Sequence, residues 1–120
     1  MNSISPSFLA QLQIILPPFS YSLEYSVLEG YSHDESSQKA VTPLAVVWPE
    51  NAGQIAAVLK LCNEQRIPVT ARGGGSSLEG NAVPSPGGIV LSLEKMNKVL
   101  EILPEDFQVR LQPGVVYDDL

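Results

Sequence analysis

The chemistry-bearing segment of this chain is Arg72-Gly73-Gly74-Gly75-Ser76-Ser77-Leu78-Glu79-Gly80-Asn81-Ala82-Val83-Pro84. Glycine has no Cβ, so such a backbone can turn tightly and approach a ligand closely. Successive main-chain N–H groups can then form a concave anion site without a lysine or arginine. Ser76 and Ser77 would add two hydroxyl donors. The chemistry this suits is the grip of a phosphate or pyrophosphate. The plainer alternative is a glycine-rich surface connection between strands.

Three phosphate-loop templates can be laid on the segment. A nucleotide-triphosphate P-loop needs G-x-x-x-x-G-K-[ST]. Gly75 and Gly80 have that spacing, but Asn81 and Ala82 stand where the lysine and hydroxyl belong. The dinucleotide fingerprint G-x-G-x-x-G opens a helix. Here Leu78 replaces the third glycine, and Pro84-Ser85-Pro86-Gly87-Gly88 forbids a helix. The template that fits is a loop between strands that lines a pyrophosphate with its own amides.

The elements around the loop follow from the apolar pattern. Ser5-Pro6 reads as an N-cap followed by proline at the first helical position, with Leu9, Leu12 and Leu16 at helical spacing and Pro17-Pro18 as the stop. Residues 19–43 read as a connector with one helical turn near Leu23 to Glu29. Leu44 to Trp48, closed by Pro49, reads as a buried strand. Asn51 caps a helix whose apolar stripe is Ala52, Ile55, Val58, Leu59 and Cys62. Pro68 to Ala71 is a second strand, which completes a βαβ unit with an expected right-handed crossover. Ile89 to Leu93 is a third strand. Val99 to Leu103 and Phe107 to Gln112 alternate in period two about Pro104-Glu105-Asp106, as in a hairpin. Val115 to Leu120 reads as the start of a helix, and a chain that stops there looks like the N-terminal piece of a longer protein.

Composition narrows the function. The 120 residues carry 7 Lys+Arg, 13 Asp+Glu and a formal charge of −6, with 44% hydrophobic and 17% charged residues. No basic footprint is present, so nucleic acid is not an expected partner. One Cys and one His exclude an internal disulfide, a cysteine-based zinc cluster and any two-imidazole site. His33-Asp34-Glu35 is read as a polar turn in which Asp34 or Ser36 bonds local amides, rather than as a metal site. Cys62 and Trp48 are read as packing residues. No stretch is long and apolar enough to span a bilayer, and no basic leader precedes Glu24. The expected location is cytoplasmic, with peripheral membrane association left open.

The order of these segments resembles the FAD-binding domain of vanillyl-alcohol-oxidase-type flavoproteins, also called the PCMH-type domain. The resemblance rests on Val46-Val47-Trp48-Pro49, Leu61 to Gln65, Ile67-Pro68-Val69-Thr70, Arg72 to Gly80, Gly87 to Leu93 and Gln112 to Val115. Tyr31 to Ser36 and Ser77 to Gly80 make it most similar to the D-lactate dehydrogenase (cytochrome) and glycolate oxidase subunit group. The resemblance implies an α+β fold: the first lobe of the FAD domain over residues 39–120, incomplete at its C-terminus, after an N-terminal helix and connector over residues 1–38. It implies FAD as cofactor. Gly73, Gly74, Gly75, Ser76 and Ser77 would donate to its pyrophosphate, Leu78 and Gly80 would fix the loop, and Pro49 would pack near the adenine end. Arg72 either faces the phosphates or is a surface charge.

The implied activity is oxidation of a small 2-hydroxy acid, D-lactate or glycolate, with a cytochrome or quinone among the candidate electron acceptors. The family's catalytic and metal-ligand residues match no position in this chain. The alternative is a truncated or split chain that serves as a noncatalytic binding module. On either reading these residues alone would bind FAD weakly.

Overall fold

Ser5 accepts a hydrogen bond from the Phe8 amide at 3.1 Å, and Pro6 opens helix α1 (Pro6–Ile15) in the computed structural model, which describes residues 4–116. Phe8 and Leu12 are its buried residues, and Leu16 follows them into the core. Leu9, expected on that face, is only half-buried. A 3-10 turn at Pro18–Ser20 leads to β1 (Tyr21–Ser22), and α2 (Tyr25–Gly30) supplies the turn of helix expected in the connector.

Strand β2 (Val46–Val47) is shorter than the expected Leu44–Trp48, but both ends of that run are still paired. Leu44 N–H donates to Gly88 O at 2.8 Å, and Trp48 N–H donates to Ser20 O at 2.8 Å. Asn51 caps α3 (Ala52–Glu64) through the Gln54 amide at 2.8 Å. The inward face of α3 is Ile55, Val58, Leu61 and Cys62, while Ala52 and Leu59 lie outside it. The sequence stripe therefore ran one position too far round. Leu59 lies only one residue from Val58, about 100° round a helix, whereas Leu61 returns to the inward face. Strands β3 (Val69–Arg72) and β4 (Ile89–Ser92) follow, then a hairpin of β5 (Val99–Leu103) and β6 (Gln108–Leu111).

The main sheet has the order β1-β2-β4-β3, in which β2, β4 and β3 are parallel and β1 is antiparallel at one edge. Every residue of β4 is buried, as a central strand covered on both faces requires. Side chains alternate across the pleat. Val47, Ile89 and Leu91 join Phe8, Leu12, Leu16, Val58, Leu61 and Cys62 on the helix side. Val46 and Val90 point the other way, against Leu28 of α2, with Tyr31 and Trp48 beside them. Among the described residues, three α-helices and a mixed sheet give the α+β class expected.

The hairpin forms a separate two-stranded sheet, with a register irregularity between Val99 and Glu101. That irregularity breaks the strict alternation read from the sequence. Val115 and Val116 carry no helix, and the rest of the helix expected there, 117–120, lies outside the described residues.

Candidate functional site

Parallel neighbours cannot be joined by a tight turn. The β3–β4 crossover is made by residues 73–88, without helix or strand. The glycine segment therefore leaves the carboxyl end of β3. Trp48-Pro49 leave the carboxyl end of β2, and Leu93-Glu94 leave that of β4. The carboxyl edge of parallel strands is where open α/β sheets place ligands.

Among the described residues, the amides of Gly73, Gly74, Gly75, Ser76, Ser77 and Leu78 donate to no protein acceptor. These residues are exposed or half-buried, so their amides are open to water or to a ligand. A Cβ built on Gly73 or Gly74 would meet nothing within 4 Å, so open space lies beside both. Gly75 (φ +76°) and Gly80 (φ +83°) lie in the left-handed region. A Cβ on Gly75 would collide with the Arg72 guanidinium, and one on Gly80 with Gln38 Cγ. Ser76 is exposed, and Leu78 is 71% exposed. The Ser77 hydroxyl accepts from Glu79 N–H at 3.3 Å. Pro49 is fully buried, so its ring shapes the strand end from inside.

A second set of residues, missed in the sequence, holds this loop. Ser77 O accepts from Glu35 N–H at 3.0 Å. Asp34 is buried, and its Oδ1 accepts from Ser36 N–H at 2.9 Å, the local turn expected. Its Oδ2 accepts from Ala82 N–H at 3.4 Å, across the chain. Hydrogen bonding from Ser36 outweighs the cost of burial, and Ala82 and Ser77 add to it, so the Asp34 carboxyl is held below its usual range. Arg72 takes neither expected role alone. Its Nη1 donates to His33 O at 2.7 Å, and its Cζ lies 5.2 Å from the Tyr31 ring centre. The guanidinium is half-buried between loop and connector because a planar cation can bond a carbonyl edge-on and stack on an aromatic face at once.

Behind the loop lies a polar network. Tyr31 Oη donates to Glu94 Oε1 at 2.6 Å and accepts from Trp48 Nε1 at 3.1 Å. Ser92 Oγ donates to the same Glu94 oxygen at 2.6 Å. The Tyr31 and Trp48 rings meet edge-on at 5.9 Å. Burial raises the Glu94 pKa, but the bonds from Ser92, Tyr31 and Trp48 and the charge of Arg72 prevail, so it is held low. Burial and then the Glu94 bond push the Tyr31 phenol up. Trp48 is thus a packing residue, as expected, but one with a hydrogen-bonded indole. The only sequence signal for this cluster was its aromatic and acidic residue types, since no spacing rule joins positions 31, 48, 72 and 94.

Comparison with known proteins decides the family. The FAD binding domain signature matches residues 43–120. The chain belongs to the FAD-binding-domain family. The glycolate oxidase subunit of Bacillus subtilis is 40% identical over 75% of this chain and 19% of its own length. A D-lactate dehydrogenase of Anaerostipes hadrus is 37% identical over 99% of this chain and 25% of its own length. The chain therefore spans a fifth to a quarter of these relatives. Among solved structures, p-cresol methylhydroxylase superposes with a TM-score of 0.82 at 29% identity, over 92% of this chain and 22% of that one. An alkyldihydroxyacetonephosphate synthase superposes at 0.86 over 98% of this chain and 24% of that one, with 18% identity, a likeness of fold. The resemblance to PCMH-type flavoproteins and the FAD expectation both hold.

Proposed function

We propose that this chain holds the pyrophosphate of FAD in an enzyme that oxidises a small 2-hydroxy acid, D-lactate or glycolate, to the 2-oxo acid. The observation that carries the loop assignment is the unpaired amide run from Gly73 to Leu78 beside open space at Gly73 and Gly74. Bound FAD supplies the acceptor for the two electrons released when the hydroxy acid becomes the oxo acid. The chain's own part is binding and orientation. Amides of Gly73, Gly74, Gly75, Ser76 and Ser77 donate to the diphosphate oxygens. The Ser76 hydroxyl adds a donor. Leu78 and Gly80 set the loop's exit, and Pro49 packs the strand end near the adenine.

Charge gives no help at long range, since the chain carries −6 and a diphosphate brings about two more negative charges, repelling over roughly 8 Å in physiological salt. This chain's own contribution to the binding must therefore come from short, preorganised N–H donors. The division at 38/39 is a functional one on this reading: residues 1–38 brace, and residues 39–120 carry the loop. The likeness to the glycolate oxidase subunit and D-lactate dehydrogenase supports the substrate class.

The test is a flavin spectrum of the protein at its full natural length, followed by anaerobic mixing with D- and L-lactate, glycolate and larger 2-hydroxy acids. Bleaching of the flavin band by D-lactate or glycolate is expected. A flavin that no 2-hydroxy acid bleaches would overturn the substrate class.

A further inference from the structure

We propose that residues 31–38 are a strap that holds the glycine loop in its binding shape, with Asp34, Arg72 and Gln38 as positioning residues for the diphosphate. The proposal rests on the reading of the loop given above and deepens it. Among the described residues, every hydrogen bond between residues 73–84 and the rest of the chain goes to this strap: Glu35 N–H to Ser77 O, and Ala82 N–H to Asp34 Oδ2. The other bonds of the segment are its own, Val83 N–H to Gly80 O and Glu79 N–H to Ser77 Oγ. The sheet thus holds the loop's two ends, while the strap holds its middle.

The fit of the two surfaces points the same way. Gly75 and Gly80 have left-handed φ angles, and the space a Cβ would take is filled at each by a side chain of the clasp. At Gly75 it is the Arg72 guanidinium, itself bonded to His33 O of the strap. At Gly80 it is Gln38, which lies on the strap. Loop and strap therefore interlock at four places: residues 72/33, 77/35, 82/34 and 80/38. The strap is in turn rooted on α2, where Ser32 donates to Glu29 O through both its amide (3.2 Å) and its hydroxyl (2.7 Å). A loop rich in glycine has many conformations, and only those with converging amides bind. Apparent affinity falls in proportion to the competent fraction.

The test uses the protein at its full natural length, loaded with FAD and compared with Asp34→Ala, Asp34→Asn and Arg72→Met. FAD affinity and the 31P resonances of the bound diphosphate are measured beside the melting temperature of the flavin-free protein. Asp34→Ala should weaken FAD by about tenfold or more and move the bound 31P signals toward those of free FAD. Asp34→Asn keeps one of the two acceptor oxygens, so it should fall between wild type and alanine. It also decides the matter if the alanine variant does not fold. Arg72→Met, which keeps the stem but not the fork, should behave like Asp34→Ala.

At Asp34 the sign separates this role from simple charge: removing a carboxylate near a diphosphate would by electrostatics tighten binding, whereas losing the clasp weakens it; at Arg72, where both effects weaken binding, the 31P signals decide. Wild-type affinity and unmoved 31P signals in all three variants would overturn the strap and leave the loop assignment standing. Bound wild-type FAD whose diphosphate signals match free FAD would instead overturn the loop assignment.

Discussion

Gly74→Val separates the loop's binding role from its folding role. A Cβ added at Gly74 would face open space, the φ of Gly74 lies outside the left-handed region, and the residue is exposed. A Cβ there meets nothing within 4 Å in this chain, so the melting temperature should change little. Replacing glycine where the new residue fits can even stabilise, by about 0.4–1 kcal/mol, through the unfolded state. The isopropyl group would enter the open space beside Gly73 and Gly74, where the proposed diphosphate would meet the loop's amides. Hydrogen bonds to a charged acceptor contribute roughly 1.5–3 kcal/mol each. Blocking two of them removes about 3–6 kcal/mol, which is roughly a 10²- to 10⁴-fold loss in FAD affinity. The assay is flavin absorbance of the purified full-length variant, with binding constants from back-titration of the flavin-free form and circular dichroism as the fold control. Full flavin content with wild-type affinity would refute the reasoning. Gly75→Ala gives the contrast. Its Cβ would strike the Arg72 guanidinium at a left-handed φ, so it should lower both stability and FAD affinity.

Two further outcomes follow from the fold. Burial pushes the Cys62 thiol up to about 11 from 9.0, so it should resist alkylation at pH 8 and react at once in denaturant; fast alkylation of the native protein would contradict its place in the core. The native state holds that proton more tightly than the unfolded one. The thiol's contribution to stability is therefore complete below about pH 9 and is lost as pH rises toward 11. The β5–β6 hairpin is two-stranded and exposes Leu100, Ile102 and Phe107, and an isolated hairpin is marginal in water. Its amides should exchange with solvent well before those of β4 in this chain, and equal protection would show that it is not an independent unit.

What could be read from the sequence was local. Ser5 and Asn51 cap the helices they were expected to cap, because a cap needs only residues three apart. The βαβ order, the hairpin and the loop between strands were legible from apolar runs and proline stops. The misassigned face of α3 shows the limit of that reading. Leu59 and Leu61 are chemically alike, and only the position of the sheet decides which turns inward. Asp34 shows another limit. Its bond to Ser36 follows from spacing, but its bond to Ala82 spans 48 positions and leaves no trace in composition. Arg72 resisted assignment for the same reason, since its partners Tyr31 and His33 lie across the fold.

On the proposed binding of the FAD diphosphate, these nonlocal links are the means by which an acidic chain would offer a site to a more acidic ligand. A lysine on a flexible stem would supply attraction anywhere within reach. A run of amides supplies it only at one place, and only if the backbone is already bent. On the proposed strap, the bending is imposed by charged groups that are themselves bonded to the protein. Asp34 spends its two oxygens on backbone amides, and Arg72 spends its cation on a carbonyl and an aromatic face. Glu94 likewise turns its charge toward Ser92 and Tyr31. These three charges are thus turned to the protein, while among the described residues the amides of Gly73 to Leu78 donate to no protein acceptor. Preorganisation here takes the place of net charge.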